Sequence, residues 1–199
     1  MTPCPVSPYG RSKLQGEQYL QAELPSERWT IIRPPIVYGP RDRLLLPLFR
    51  AARLGFIPAP CSGRWRYSVI HVLDLVRGIA AAIEHDRAAG RTFFMSGDER
   101  QSQTELLASI AEAVATPARP IAVPMPLVCL AALAGTLQMH LTSSRATLSV
   151  LELPDVCTGD WTCSTEHAAK VLGFTARIGI REGLRQTALW YRDHKWLEG

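Results

Sequence analysis

Glycine is present but never clustered: no two of the 14 glycines stand two or three residues apart. The chain therefore contains neither G-x-G-x-x-G nor G-x-x-G-x-x-G, the turns that let backbone approach a pyrophosphate at a helix N-terminus. The five cysteines, Cys4, Cys61, Cys129, Cys157 and Cys163, form no C-x-x-C pair and are odd in number. They read as free thiols in a reducing, cytoplasmic compartment, not as a zinc site or a disulfide framework. The five histidines lack H-E-x-x-H or similar spacing, so no metal is expected. The net charge of +4 comes with scattered arginines. Without a clustered basic face, no nucleic-acid partner is expected. No basic stretch followed by an apolar run opens the chain, so no secretory leader is expected.

Asp, Glu, Lys and Arg are all missing between Arg119 and Arg145. Pro124 and Pro126 interrupt the start of this stretch. The apolar helix that can follow, Leu127 to about Leu141, is shorter than the roughly 20 residues a membrane span needs. Gly135, Thr136, Gln138 and His140 weaken it further. A buried or lid-like helix is the favoured reading, with membrane-surface contact through 121–141 as the alternative.

What is present is ordinary globular material. The 199 residues are 47% hydrophobic and 20% charged, enough for one core. Near the start stands Pro5-Val6-Ser7-Pro8-Tyr9-Gly10-Arg11-Ser12-Lys13. Ser7 suits a helix N-cap and Pro8 the first helical position. In such a helix Tyr9 and Lys13 lie one turn apart on one face. An ammonium held against a phenol stabilises the phenolate, so the pair can trade a proton with a substrate hydroxyl or carbonyl. Y-x-x-x-K is also a common accident, and an ordinary surface pair is the competing reading.

The chain then alternates between helical and extended patterns. Trp29 to Arg33 reads as a buried strand. It runs into Pro34-Pro35-Ile36-Val37-Tyr38-Gly39-Pro40, which the prolines mark as a rigid loop. Asp42 caps a helix over about Arg43 to Leu54, with Leu45, Leu48, Phe49 and Ala52 inward. Phe56 to Arg66 reads as loop, with Pro58, Pro60 and Gly63. Tyr67 to Ile70 is a short strand. The helix opened by Asp74 or a neighbour is expected to be buried through Val76, Ile79, Ala80 and Ile83. His71 and Asp74 read as a turn and helix cap in preference to a catalytic pair. Thr92 to Ser96 is a strand. Ser102-x-x-Glu105 is a capping box. Pro120 to Val123 is a short strand. Ser164 starts a helix ending at Leu172-Gly173, and the last helix runs from about Arg181 to His194. Strand, rigid loop and helix in this order are an α/β signature, and ligands bind at the carboxyl ends of such strands.

The order of landmarks resembles the C-terminal part of an extended short-chain dehydrogenase/reductase, the NAD-dependent epimerase/dehydratase family. The matching pieces are Ser7 to Lys13, Arg33 to Asp42, Ile70-His71-Val72-Leu73-Asp74-Leu75, Leu172-Gly173-Phe174, and Glu182-Gly183-Leu184 with Thr187, Trp190 and Tyr191. Together they cover nearly the whole chain. The resemblance implies an α/β fold: part of a Rossmann-like doubly wound parallel sheet (1–41 and about 68–96) with a smaller mixed substrate-binding subdomain (about 42–67 and 97–199). It implies Tyr9 as acid/base and Lys13 as holder of the cofactor ribose. It also implies Pro35, Ile36 and Val37 as backbone against the nicotinamide of NAD or NADP. A homodimer and a small-molecule substrate are implied too.

Nucleotide-sugar members commonly carry asparagine where Ile36 stands, and an arginine in the register now read as Tyr67-Ser68-Val69-Ile70-His71, from which Arg66 is one position off. An isoleucine side chain cannot donate a hydrogen bond to phosphate. Both departures favour the branch resembling 3β-hydroxysteroid dehydrogenases and dihydroflavonol reductases, with less polar substrates. The missing glycine-rich turn leaves the pyrophosphate site unaccounted for. The chain is therefore expected to lack the cofactor-binding half and to be inactive alone. A nucleotide-sugar epimerase/dehydratase and a non-catalytic binding or scaffold remnant are the alternatives.

Overall fold

The structure, a computed structural model, describes residues 3–60, 65–98, 100–142 and 159–198. Cys61, Gly63 and Cys157 lie outside the described residues. Helix α1 (Pro8–Glu23) begins as its sequence dictates: the Ser7 hydroxyl accepts the Gly10 N–H at 3.1 Å, and Pro8 leads the first turn. It stops at Leu24, because the residue before Pro25 is pushed out of the helical region. None of its side chains is fully buried.

The apolar run after it forms β1 (Thr30–Arg33), paired in parallel with β5 (Arg91–Phe94). Between them the chain makes β2 (Ile36–Tyr38), α2 (Leu46–Arg53), β3 (Phe56–Pro60), β4 (Arg66–His71) and α3 (Val72–Glu84). Two expectations of loop fail here. Pro34 and Pro35 end β1, yet Ile36, Val37 and Tyr38 keep their N–H groups and pair in parallel with Val69, Ile70 and His71. Phe56–Pro60 likewise pairs in parallel with β7 (Arg119–Val123). Among the described residues both strands of that sheet are edges, where proline's missing donor costs no ladder bond on the side away from the partner. Strand β4 also pairs antiparallel with β6 (Arg100–Ser102).

Two helices depart from expectation. The Asp42 carboxylate accepts the N–H groups of Leu44 and Leu45 at 2.7 and 3.1 Å, which makes a turn and delays α2 to Leu46. In α3 the inward residues are Asp74, Gly78 and Ala82, while Val76 and Ile83 are 55% and 79% exposed. The small residues let α3 approach closely: a Cβ on Gly78 would stand 2.5 Å from the Met95 sulfur. Asp74 can be inside because one carboxylate oxygen accepts two backbone N–H groups and the other is ion-paired with Arg77. Helix α4 (Gln103–Ala113) carries the expected capping box between Ser102 and Glu105. Helix α5 (Met125–Thr142) forms from the charge-free stretch but is not buried. Val128 and Ala132 dock it, whereas Leu130, Leu133, Leu137 and Leu141 face solvent. Among the described residues no helix is long and apolar enough to cross a membrane. Helix α6 (Glu166–Leu172) ends on Gly173, left-handed at φ 62°, and α7 (Ile180–Asp193) closes the fold.

Among the described residues two apolar clusters result. One gathers Tyr38, Phe49, Ile57, Leu106, Ile110, Leu184 and Tyr191. The other gathers Ile70, Phe93, Met95, Leu172 and Phe174. Strand β4 serves both, Val69 turning into the first and Ile70 into the second, as alternation along a strand requires.

Candidate active site

Tyr9 and Lys13 fall on one face of α1, with the Lys13 ammonium 5.3 Å from the centroid of the Tyr9 ring. Both side chains are open to solvent, Tyr9 at 69% exposure. Four residues beyond Lys13, on the same face, stands Glu17. Its carboxylate receives both arms of the Arg33 guanidinium: Nε donates to Oε1 at 2.9 Å and Nη2 pairs with Oε2. Arg33 is the last residue of β1, and its guanidinium also lies 5.5 Å from the centroid of the Phe94 ring. Burial opposes the guanidinium charge, but the Glu17 hydrogen bond outweighs it and holds Arg33 more firmly protonated than usual. The pair ties the Tyr9–Lys13–Glu17 face of α1 to the point where the chain turns into Pro34 and Pro35.

The residues expected beside the nicotinamide lie beyond that point. Pro35 is half-buried, and Ile36 and Val37 belong to β2, not to a free loop. Ile36 packs on the Tyr38 and Phe49 cluster, and Val37 on the Ile70 and Phe93 cluster. Their backbone is thus set by the ladder to β4.

His71 and Asp74 hold structure. The His71 Nδ1 accepts the Leu73 N–H at 3.3 Å and so caps α3. Burial lowers the His71 pKa from its ordinary value, with Asp74 opposing it more weakly. Asp74 Oδ2 accepts the N–H groups of Arg177 and Ile178 at 3.0 and 2.9 Å, and Oδ1 pairs with Arg77. A cavity of about 190 Å³ opens beside them, lined by Tyr38, His71, Gly97, Asp98 and Ile178. Another, of about 210 Å³, lies among Arg53, Val114, Ala188 and Leu197. Neither is lined by Tyr9 or Lys13.

Sequence reasoning passed over the Glu17–Arg33 pair. The signal was available in part: Glu17 continues the spacing that joins Tyr9 to Lys13. Nothing in the sequence said which cation it would meet.

Residues 1–95 match the model of the NAD dependent epimerase/dehydratase family. Among curated proteins, the chain is 30% identical to a ceramide reductase of Caulobacter vibrioides, over 96% of the chain and 59% of that protein. It is also 30% identical to a UDP-glucose 4-epimerase of Vibrio cholerae, over 92% of the chain and 53% of that protein. The chain thus spans little more than half the length of these relatives. A solved epimerase of Methanothermobacter thermautotrophicus superposes with a TM-score of 0.72 at 20% identity, covering 99% of this chain and 54% of that one. A UDP-glucuronic acid 4-epimerase of Bacillus cereus gives 0.71 at 18%, covering 98% and 55%. At such identities these structures speak for the fold, a Rossmann-type α/β architecture.

Proposed function

From the match of residues 1–95 to the NAD dependent epimerase/dehydratase family and the 30% identity to the two relatives, we propose that the chain is a member of that family and carries the proton-transfer part of an NAD(P)-dependent oxidoreductase site. The observation that carries the reading is the Lys13 ammonium lying against Tyr9 on an open helix face, tethered to the carboxyl end of β1. A buried or separated pair could not serve a substrate.

The residues present fit the nicotinamide-ribose end of the cofactor. Lys13 offers three donors and, among the described residues, makes no ion pair, so it is free to hold ribose hydroxyls. Pro35 follows the carboxyl end of β1, the side of a parallel sheet where such ligands sit, and Ile36 and Val37 carry the backbone on into β2. The pyrophosphate end has no matching turn in this chain. When bound, the nicotinamide supplies or accepts the hydride. In reduction, the Tyr9 hydroxyl gives its proton to the substrate oxygen as the carbon takes up hydride. The phenolate left behind is stabilised by Lys13. In oxidation the proton moves the other way.

The substrate class we favour is a fairly apolar alcohol or ketone. Ile36 supports it, since an aliphatic side chain turned into the core offers phosphate nothing. The relative named for reduction of ceramide, a lipid, supports it as well. A nucleotide-sugar epimerase or dehydratase is the second reading, supported by the UDP-glucose 4-epimerase relative. A scaffold that has kept the fold without the chemistry is the third.

In a form of the protein that also carries a glycine-rich turn, saturable enhancement of NADH or NADPH fluorescence on titration separates the enzyme readings from the scaffold, for which none is expected. In a form of the protein that turns over, Tyr9→Phe is expected to lower kcat by about 100-fold or more, the usual scale of a lost general acid–base group, while cofactor binding persists. Unchanged turnover would remove Tyr9 from the chemistry.

A further inference from the structure

Lys13 stands between two attractive neighbours on one helix face, each one turn away: the Tyr9 ring before it and the Glu17 carboxylate after it. An exposed ammonium over an aromatic ring and an exposed helical ion pair are attractions of similar size. Left alone, the ammonium would divide its time. In the structure it lies over Tyr9, and Glu17 is taken up by Arg33. We propose that Arg33 is a positioning residue for Lys13, acting by occupying the one carboxylate that would draw the ammonium off Tyr9.

Three features fit Arg33 to this task. Its planar fork engages both oxygens of Glu17, which a lysine's point charge does not match. Its guanidinium is backed by the Phe94 face, so the fork has little freedom to swing away. It ends a strand whose register is fixed opposite Phe94, so the position of its backbone is set by the sheet and not by α1. The carboxylate is partly sheltered, with 19% of the Glu17 side chain exposed, so water competes weakly for it. The consequence is a division of labour on one face of α1: Tyr9 for the proton, Lys13 for the phenolate and ribose, and Glu17 held neutral in effect by a cation from another element.

The inference rests on the reading of Tyr9 and Lys13 as the working pair, but its test does not use turnover. The readout is the nuclear Overhauser contact between the Lys13 Hε protons and the Tyr9 ring protons in the labelled full chain. Helix content is followed by circular dichroism. Arg33→Leu frees the carboxylate, and the contact is expected to fall by about half, as two comparable attractions share the ammonium. Glu17→Gln weakens the same tether but removes the competitor, so the contact is expected to stay at the wild-type level. Glu17→Gln combined with Arg33→Leu is expected to recover it. If Glu17→Gln loses the contact as fully as Arg33→Leu does, the pair acts only as an anchor and the proposal is overturned. An unchanged contact in Arg33→Leu overturns it too. Should Arg33→Leu lose helix content, Arg33→Lys serves in its place, with a smaller fall expected and the same two overturning outcomes. Failure of Tyr9→Phe to slow turnover would instead sink the functional reading and leave this result standing.

Discussion

Two charged clusters in this molecule are built on opposite terms. On α1, Tyr9, Lys13 and Glu17 sit on a helix that fully buries none of its side chains. At the junction of β2, β4, α3 and α7, Tyr38, His71, Asp74 and Gly183 are packed almost without exposure. The Tyr38 and His71 rings meet edge to face at 5.4 Å. A Cβ on Gly183 would stand 2.5 Å from the Tyr38 hydroxyl, and the Thr187 hydroxyl donates to the Gly183 carbonyl at 2.7 Å. Asp74 stitches α3 to the segment entering α7 through two backbone N–H groups. The difference fits the role proposed for the first cluster and the structural role of the second. A group that must reach a substrate cannot have all its bonds spent within the protein. A group that fixes elements must have them spent.

The contrast predicts a graded response. Asp74→Ala leaves the Arg177 and Ile178 donors and the Arg77 charge without their partner. It is expected to cost about 3 kcal/mol in urea unfolding, allowing for the partial exposure of Arg77. A loss near zero would dissolve the distinction between the clusters. Gly183→Ala must push apart Tyr38 and His71 and is expected to cost about 1–3 kcal/mol by the same measurement.

The third effect is read as a pH slope. The folded His71 pKa lies below its unfolded value, so below the ordinary value of 6.5 the unfolded chain binds the proton more readily. Stability is therefore expected to be complete above that pH and to decline as pH falls from there toward the folded pKa. The groups facing His71 are Asp74 on α3, Tyr38 on β2 and the Leu73 N–H it caps. Urea midpoints at pH 7.5 and pH 5, compared with His71→Asn, check this. An equal slope in the variant would assign the dependence elsewhere. Smallest of all, Glu17→Gln on α1, which keeps an acceptor oxygen for the Arg33 fork, is expected to cost about 1 kcal/mol. A cost comparable to Asp74→Ala would mean that α1 too is a scaffold element.

The parts of the chain legible beforehand are those set by neighbours in sequence. Ser7 and Pro8 begin α1, Ser102 and Glu105 begin α4, and Gly173 ends α6, each through bonds or dihedral freedom within four residues. Leu184, Ala188 and Tyr191, spaced four and three residues apart, share the buried face of α7. What misled was apolarity without partners. Val76, Ile79 and Ile83 look like an inward stripe, but the side of α3 that docks is the one whose Gly78 admits Met95 and Phe174. The stretch of α5 reads as a buried or lid-like helix, and Leu130, Leu133, Leu137 and Leu141 face outward. Pro58 and Pro60 read as loop because proline is penalised inside a sheet, and only the pairing shows that these strands are edges.

The sequence by itself determined the helix that bears Tyr9 and Lys13, their common face, and the ordered landmarks by which the family is recognised. Those are consequences of short-range geometry, where a four-residue spacing means contact. Only the tertiary structure decided that Arg33, from a strand 16 residues beyond Glu17, would take that carboxylate and leave Lys13 to Tyr9. It also decided that Asp74 would be spent on backbone 103 and 104 residues away. Which charge meets which is settled by packing and desolvation, and neither has a period that a sequence can show.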